Sequence, residues 1–131
     1  MRRAGQITAA ARALAGKMVR PGVTTLEIDT AVRKFIEGQG AIPSFLHFPG
    51  PPGVRDFPGA ACISVNDEVI HGIPSNQVLK EGDIVSVDVG AYIGGFHGDC
   101  AAPFPCGKVC PYDCCTSPCL LARGRFLWFP F

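Results

Sequence analysis

The chain has 131 residues, with 12 Lys+Arg against 11 Asp+Glu, 47% hydrophobic residues and 18% charged ones. That composition can bury a core and excludes compositional disorder, and a formal charge of +1 argues against a broad basic nucleic-acid footprint. No apolar run approaches the roughly 18–20 residues of a bilayer span, and Met1-Arg2-Arg3 leads into an Ala-rich stretch without a signal-type apolar core, so a soluble cytoplasmic protein is expected.

From Arg3 to Arg20, Ile7, Ala11, Leu14 and Met18 recur on one helical face, and Pro21-Gly22 ends the pattern. Thr24-Thr25-Leu26-Glu27 then offers a capping box, in which the Thr24 hydroxyl and the Glu27 carboxylate satisfy orphan backbone donors. Ile28, Val32 and Phe35 make the apolar face of this second helix, and Gly38 and Gly40 supply its stop. Residues 43–59 carry five prolines and three glycines and read as a long surface loop.

After the loop the period changes to 2. Ala61–Val65 and Glu68–Ile70 read as short strands around an Asn66-Asp67 turn, and a third strand begins at Ile84 with Val85, Val87 and Val89 on one face and Ser86 and Asp88 on the other. Helix, helix, then antiparallel strands predicts an α+β layer structure with the helices on one side of the sheet.

Gly94-Gly95 is a two-residue hairpin loop flanked by Ala91-Tyr92-Ile93 and Phe96-His97. If it closes there, Ile93 faces Phe96, Gly90 faces Asp99, and Asp88 lies on a cross-strand diagonal with Asp99, backbones about 7–8 Å apart. A strand Asp is ordinarily a solvated outward residue, but Asp88 sits between buried-type valines, where an unpaired carboxylate is costly. The glycines at 90, 94, 95 and 98 are expected to leave space on that surface. Converging hard oxygens suit Mn, Co, Fe, Zn or Mg. His71 heads His71-Gly72-Ile73-Pro74 straight after the second strand, a setting in which a lone His is commonly structural, and His47 in the Pro-rich loop is assigned no role. For His97, beside Gly98-Asp99, two readings stay open: it orients the Asp99 carboxylate, or it caps the strand.

Ser64-Val65-Asn66-Asp67-Glu68-Val69-Ile70-His71-Gly72-Ile73-Pro74, Gly82-Asp83-Ile84-Val85-Ser86-Val87-Asp88-Val89 and Gly95-Phe96-His97-Gly98-Asp99, with their spacing, resemble the type I methionine aminopeptidases of the bacterial kind. The resemblance covers roughly residues 1–109, with extra residues in the loop around 49–56. It implies the pita-bread fold, of which this chain would hold the first half, and a site with two divalent metal ions (Mn, Co, Fe or Zn) that removes the initiator Met from nascent chains. By motif, Asp88 would be the bidentate ligand of one metal and Asp99 the bridging carboxylate. His71 would hydrogen-bond the substrate near the scissile amide and handle a proton. Phe57 and Cys62 would line the pocket for the Met side chain, where an apolar wall and a soft sulfur suit a thioether. The implied partners are nascent polypeptide N-termini near the ribosome, with no direct nucleic-acid or membrane contact, and the family is usually monomeric.

The family takes one further His and two Glu ligands, one of the Glu serving as general base, from its second half, whereas no His or Glu follows Asp99 in this sequence. The metal site is therefore expected to be incomplete and the chain inactive alone. The cysteines are also lopsided: Cys62 stands alone before residue 100, and Cys100, Cys106, Cys110, Cys114, Cys115 and Cys119 crowd the last 32 residues. Residues 110–131 are read as a divergent, aberrant or frameshifted tail, and Pro103 interrupts the family strand before them. Competing readings are a catalytically dead binding paralogue and a Cys-rich zinc module built on Cys106, Cys110, Cys114 and Cys119, whose compressed spacing is a weak match to paired zinc ligands. A disulfide framework is disfavoured by the odd cysteine count, and proline-specific peptidases of the same fold by the setting of His71.

Overall fold

The computed structural model describes residues 1–109, which run α1 (Arg2–Met18), α2 (Thr25–Gly38), β1 (Ile42–Pro43), β2 (Ala61–Val65), β3 (Ile84–Ile93) and β4 (Phe96–Pro105). α1 buries Ala4, Ile7, Thr8, Ala11 and Ala15, and Val19 turns to extended backbone two residues before the expected end. Small side chains dominate this stripe, which brings the helix close to the sheet. α2 starts on the expected capping box: Glu27 N donates to Thr24 Oγ1 at 3.2 Å and Thr24 N donates to Glu27 Oε2 at 2.7 Å. Such a cap contributes about 1 kcal/mol. Its buried face is Thr25, Ile28, Asp29, Val32 and Ile36, so Ile36 takes the place anticipated for Phe35, which is half-buried at the rim.

All strand pairs are antiparallel, and β3 is the centre of the sheet. β4 covers one edge of β3 over its whole length, while β2 and β1 share the other edge end to end. Val85, Val87, Val89 and Ala91 of β3, with Ala61, Ile63 and Val65 of β2, form one core cluster with Ile7, Ala11, Ala15, Ile28, Val32 and Ile36 of the helices. Both helices therefore lie on the valine face, and the opposite, open face, which no described helix covers, carries exposed Ser86 and half-buried Asp88. Among the described residues no helix is long and apolar enough to cross a membrane.

Several expectations need correction. Pro43, placed in the loop, pairs with Ala91 as half of β1. The Asn66-Asp67 turn forms, but Glu68–Ile70 is not a strand: Glu68 bends back so that its Oε2 accepts from Val65 N at 3.0 Å, and Val69 and Ile70 stand exposed. Pro103 is accommodated inside β4. Asn66 N donates to the Ile84 carbonyl and Ser44 N to the Gly90 carbonyl, so the even-numbered residues of β3 bond away from β4. Pro103 lies opposite Ser86, and its nitrogen thus points to the free edge of β4, where no ladder donor is lost.

Candidate functional site

Gly94 and Gly95 both have left-handed backbone, φ 60° and 83°, which is the conformation of a tight hairpin turn matched to strand twist. The register that follows pairs Ile93 with Phe96, Gly90 with Asp99 and Asp88 with Ala101, as the turn predicts. Asp88 and Asp99 consequently share the open face on a cross-strand diagonal. Their proximity has an electrostatic signature: burial, and then the charge of Asp99, push the Asp88 carboxyl up to about 6, against a smaller opposing pull from His71 and the Val89 N–H. Asp88 Oδ1 is buried and has no hydrogen-bond partner among the described residues. A desolvated carboxylate oxygen without a donor is costly, and a cation is the partner whose charge removes both the desolvation and the repulsion from Asp99.

Cys62 on β2 stands directly opposite Asp88 and is 7% exposed. Burial, and then Asp88, Asp99 and Asp29, push its thiol up to about 12, so it is a neutral, soft, weakly polar surface beside the carboxylates. His71 is exposed, with left-handed backbone at φ 58°, and lies near enough to Asp88 for its charge to oppose the rise of that carboxyl. A His in that conformation is uncommon and is held by its neighbour: Gly72 lies flat along β2, its carbonyl accepting from Ile63 N at 2.9 Å and its N–H donating to Ser64 Oγ at 3.0 Å. A side chain at Gly72 would collide with the Ile63 backbone. The structure therefore brings Asp88, Asp99, Cys62 and His71 to one surface.

Phe57 is half-buried in the Pro-rich loop, tied by His47 N to the Phe57 carbonyl at 2.9 Å and by Phe57 N to the Phe48 carbonyl at 3.0 Å. His97 occupies the hairpin tip. Its Nδ1 is 2.9 Å from Ser44 Oγ and its ring lies 4.6 Å from that of Tyr92, so among the described residues it engages Ser44 and Tyr92. The glycines do not open the surface in the way expected. Gly90 is covered by Ser44 and the Phe45 ring, Gly98 lies under Ala4 and Thr8 of α1, and Gly94 and Gly95 serve the turn.

Two residues of this region escape a reading of motifs. Ser44 latches the loop to the sheet through the Gly90 carbonyl and His97. Asp29, on the core face of α2, accepts from the backbone N–H groups of both Ala60 and Ala61, and burial raises its pKa against those two bonds. A carboxylate at the i, i+3, i+7 spacing of an apolar helix face, here Asp29, Val32 and Ile36, is the signal that marks it.

Two oxygen donors, one without a partner, fit a hard divalent ion. Among the described residues no three or more His, Cys, Asp or Glu converge as a ligand set, so Asp88 and Asp99 by themselves would supply only part of such a site. Of the proposed zinc-module cysteines, Cys106 is fully buried in the helix-sheet core and its N–H donates to the Asp83 carbonyl, which removes it from surface coordination. Cys110, Cys114 and Cys119, and the tail reading of residues 110–131, lie outside the described residues.

Comparison with known proteins agrees with this geometry. The model of metallopeptidase family M24 matches residues 1–116. Methionine aminopeptidase 1 of Bacillus subtilis is 45% identical over 113 residues, which is 86% of this chain and 43% of that protein. Methionine aminopeptidase 2 of Mycobacterium tuberculosis is 50% identical over 109 residues, 83% of this chain and 36% of that protein. Among solved structures, methionine aminopeptidase from Rickettsia prowazekii superposes with a TM-score of 0.78 at 35% identity, covering 86% of this chain and 43% of that one. The chain thus spans less than half the length of the relatives it matches.

Proposed function

This chain belongs to metallopeptidase family M24 with the first half of the pita-bread fold, and from that premise we propose that it carries the first half of a methionine aminopeptidase site. The observation that carries the reading is the Asp88 carboxyl, raised by burial and then by its neighbour Asp99, with a buried oxygen that has no partner among the described residues on the open face of the sheet. Asp88 and Asp99 would hold divalent ions of the Mn, Co, Fe or Zn class. Such ions supply a Lewis acid for the amide carbonyl and an activated water.

The other residues act on the substrate. Cys62 and Phe57 present a soft, apolar wall to an unbranched thioether side chain, and the neutral thiol adds no charge that would penalise its burial. His71, exposed and with left-handed backbone next to the Gly72 that pairs with Ile63, presents an imidazole that can donate a hydrogen bond to the peptide or carry a proton. The natural substrates would be polypeptide N-termini beginning with Met, met in the cytoplasm close to the ribosome.

The same residues limit what the 131-residue chain can do unaided, since two carboxylates fix an ion weakly and no third ligand joins them among the described residues. Calorimetric titration with Mn and Co is the direct test. Weak but saturable binding is expected, lost in Asp88→Asn and in Asp99→Asn, together with negligible methionine release from a Met-Ala-Ser peptide by the pure chain. Ion binding indifferent to both substitutions would remove the site, and robust turnover would show that these residues suffice.

A further inference from the structure

The free edge of β2 has its donors occupied one by one. Ile63 N is bonded to the Gly72 carbonyl and Val65 N to Glu68 Oε2. Where the strand begins, a helix side chain replaces a neighbouring strand: Asp29 Oδ1 accepts from Ala60 N at 2.7 Å and from Ala61 N at 2.9 Å. Asp29 is 7% exposed, and Ala60 and Ala61 are fully buried, so water is not at hand to replace the carboxylate.

The same turns of α2 hold the other side of the site. Thr25 Oγ1 donates to the Ser75 carbonyl at 3.0 Å and accepts from Ser75 N at 2.9 Å, while Leu26 N donates to the same carbonyl at 2.9 Å and Thr25 N to that of Gln77 at 3.1 Å. Ser75 closes the run His71-Gly72-Ile73-Pro74. One helix end thus grips the segment carrying Cys62 through Asp29 and the segment carrying His71 through Thr25.

We propose that Asp29 is a positioning residue of the site, fixing the start of β2 so that Cys62, and through the preceding backbone Phe57, form a wall beside Asp88. It acts through the amides of Ala60 and Ala61 and touches neither ion nor substrate. A carboxylate suits the task because one charged oxygen serves two adjacent N–H groups as charge-assisted bonds. The inference rests on the reading of Cys62 and Phe57 as the pocket for a methionine side chain.

Asp29→Ala and Asp29→Asn in the full chain test it, the Asn variant keeping an Oδ1 acceptor. Residue-resolved amide exchange and calorimetric binding of Mn and of L-methioninamide are measured side by side. Asp29→Ala is expected to speed exchange at residues 60–63 by on the order of tenfold beyond any uniform rise and to weaken L-methioninamide by about tenfold, the loss of a buried acceptor. Mn affinity should stay within about twofold, because Asp88 and Asp99 stand on β3 and β4. Asp29→Asn should restore exchange and methioninamide binding. A uniform acceleration with no local excess, or an Asn variant that behaves like the Ala one, overturns the proposal. If the unaltered chain binds no L-methioninamide, the pocket reading fails instead, and the exchange pattern alone decides whether Asp29 holds β2. Should Asp29→Ala not fold, Asp29→Ser takes its place under the same criteria.

Discussion

Asp88 lowers the stability of the ion-free chain. Its carboxyl is raised from the usual 3.8 to about 6, so between those values the folded chain holds a proton that the unfolded chain has released. Stability therefore falls as pH rises from about 4 to 6, and the loss is complete above about 6. Two pKa units correspond to about 3 kcal/mol, which solvent screening of this half-exposed group reduces to about 1–2 kcal/mol. Asp88→Asn is expected to recover that amount at pH 7 and to flatten the dependence between pH 4 and 6, in urea unfolding with chelator present. An Asn variant less stable than the parent at pH 7 contradicts the assignment. At this scale the pair Asp88/Asp99 was legible because one Gly-Gly turn sets the register of every residue after it. Asp29 showed only as a carboxylate on an apolar helix face, since its partners are backbone N–H groups more than thirty residues away that leave no mark in side-chain patterns.

Elements were legible where local chemistry decides and less so where packing does. The capping box follows from hydrogen-bond reach alone and forms as anticipated, whereas the apolar stripes keep the helical period but are shifted by packing: Ala15 is buried where Leu14 was expected, and Ile36 where Phe35 was. Glu68–Ile70 looks like a strand by composition, but the Glu68 carboxylate occupies the Val65 donor that a continuing ladder would need. The glycines were misassigned for a related reason: which face needs them depends on what packs there. Gly98 is where α1 crosses β4, and a Cβ built on it lies 2.6 Å from both the Ala4 carbonyl carbon and Thr8 Oγ1. Backbone on a helix cannot swing aside as a side-chain end can, so Gly98→Ala should lift α1 from the sheet. We expect a loss of about 1–3 kcal/mol in chemical unfolding. A change below about 0.5 kcal/mol, the range of ordinary surface substitutions, would show that α1 does not bear on β4 at this point.

At the scale of the whole molecule, both helices cover one face of the sheet and only loop residues such as Ser44 and Phe45 lie on the other, and several large apolar side chains of the connecting segments lie in water. Val69, Ile70 and Ile73 are 86%, 68% and 59% exposed within one short segment beside His71. Their number and closeness make an apolar patch of the kind that drives association, and they flank the left-handed His71 rather than pack beneath it. The composition did not reveal this, because 47% hydrophobic residues is a sum over both faces and says nothing of how they divide. Replacing Val69 with Thr and Ile70 with Asn removes apolar surface without removing any core contact. The double variant should keep the parent's unfolding midpoint to within about 0.5 kcal/mol, the change expected of surface sites. It should also shift sedimentation velocity toward monomer at concentrations where the parent self-associates. A loss of stability instead would mean that these side chains pack against something within the chain, and unchanged association would place the sticky surface elsewhere, on the open face around Asp88. Because Asp88 and Asp99 carry like charges there, association through that second face would weaken without divalent ions and strengthen with them. The response to Mn and to chelator therefore separates the two surfaces.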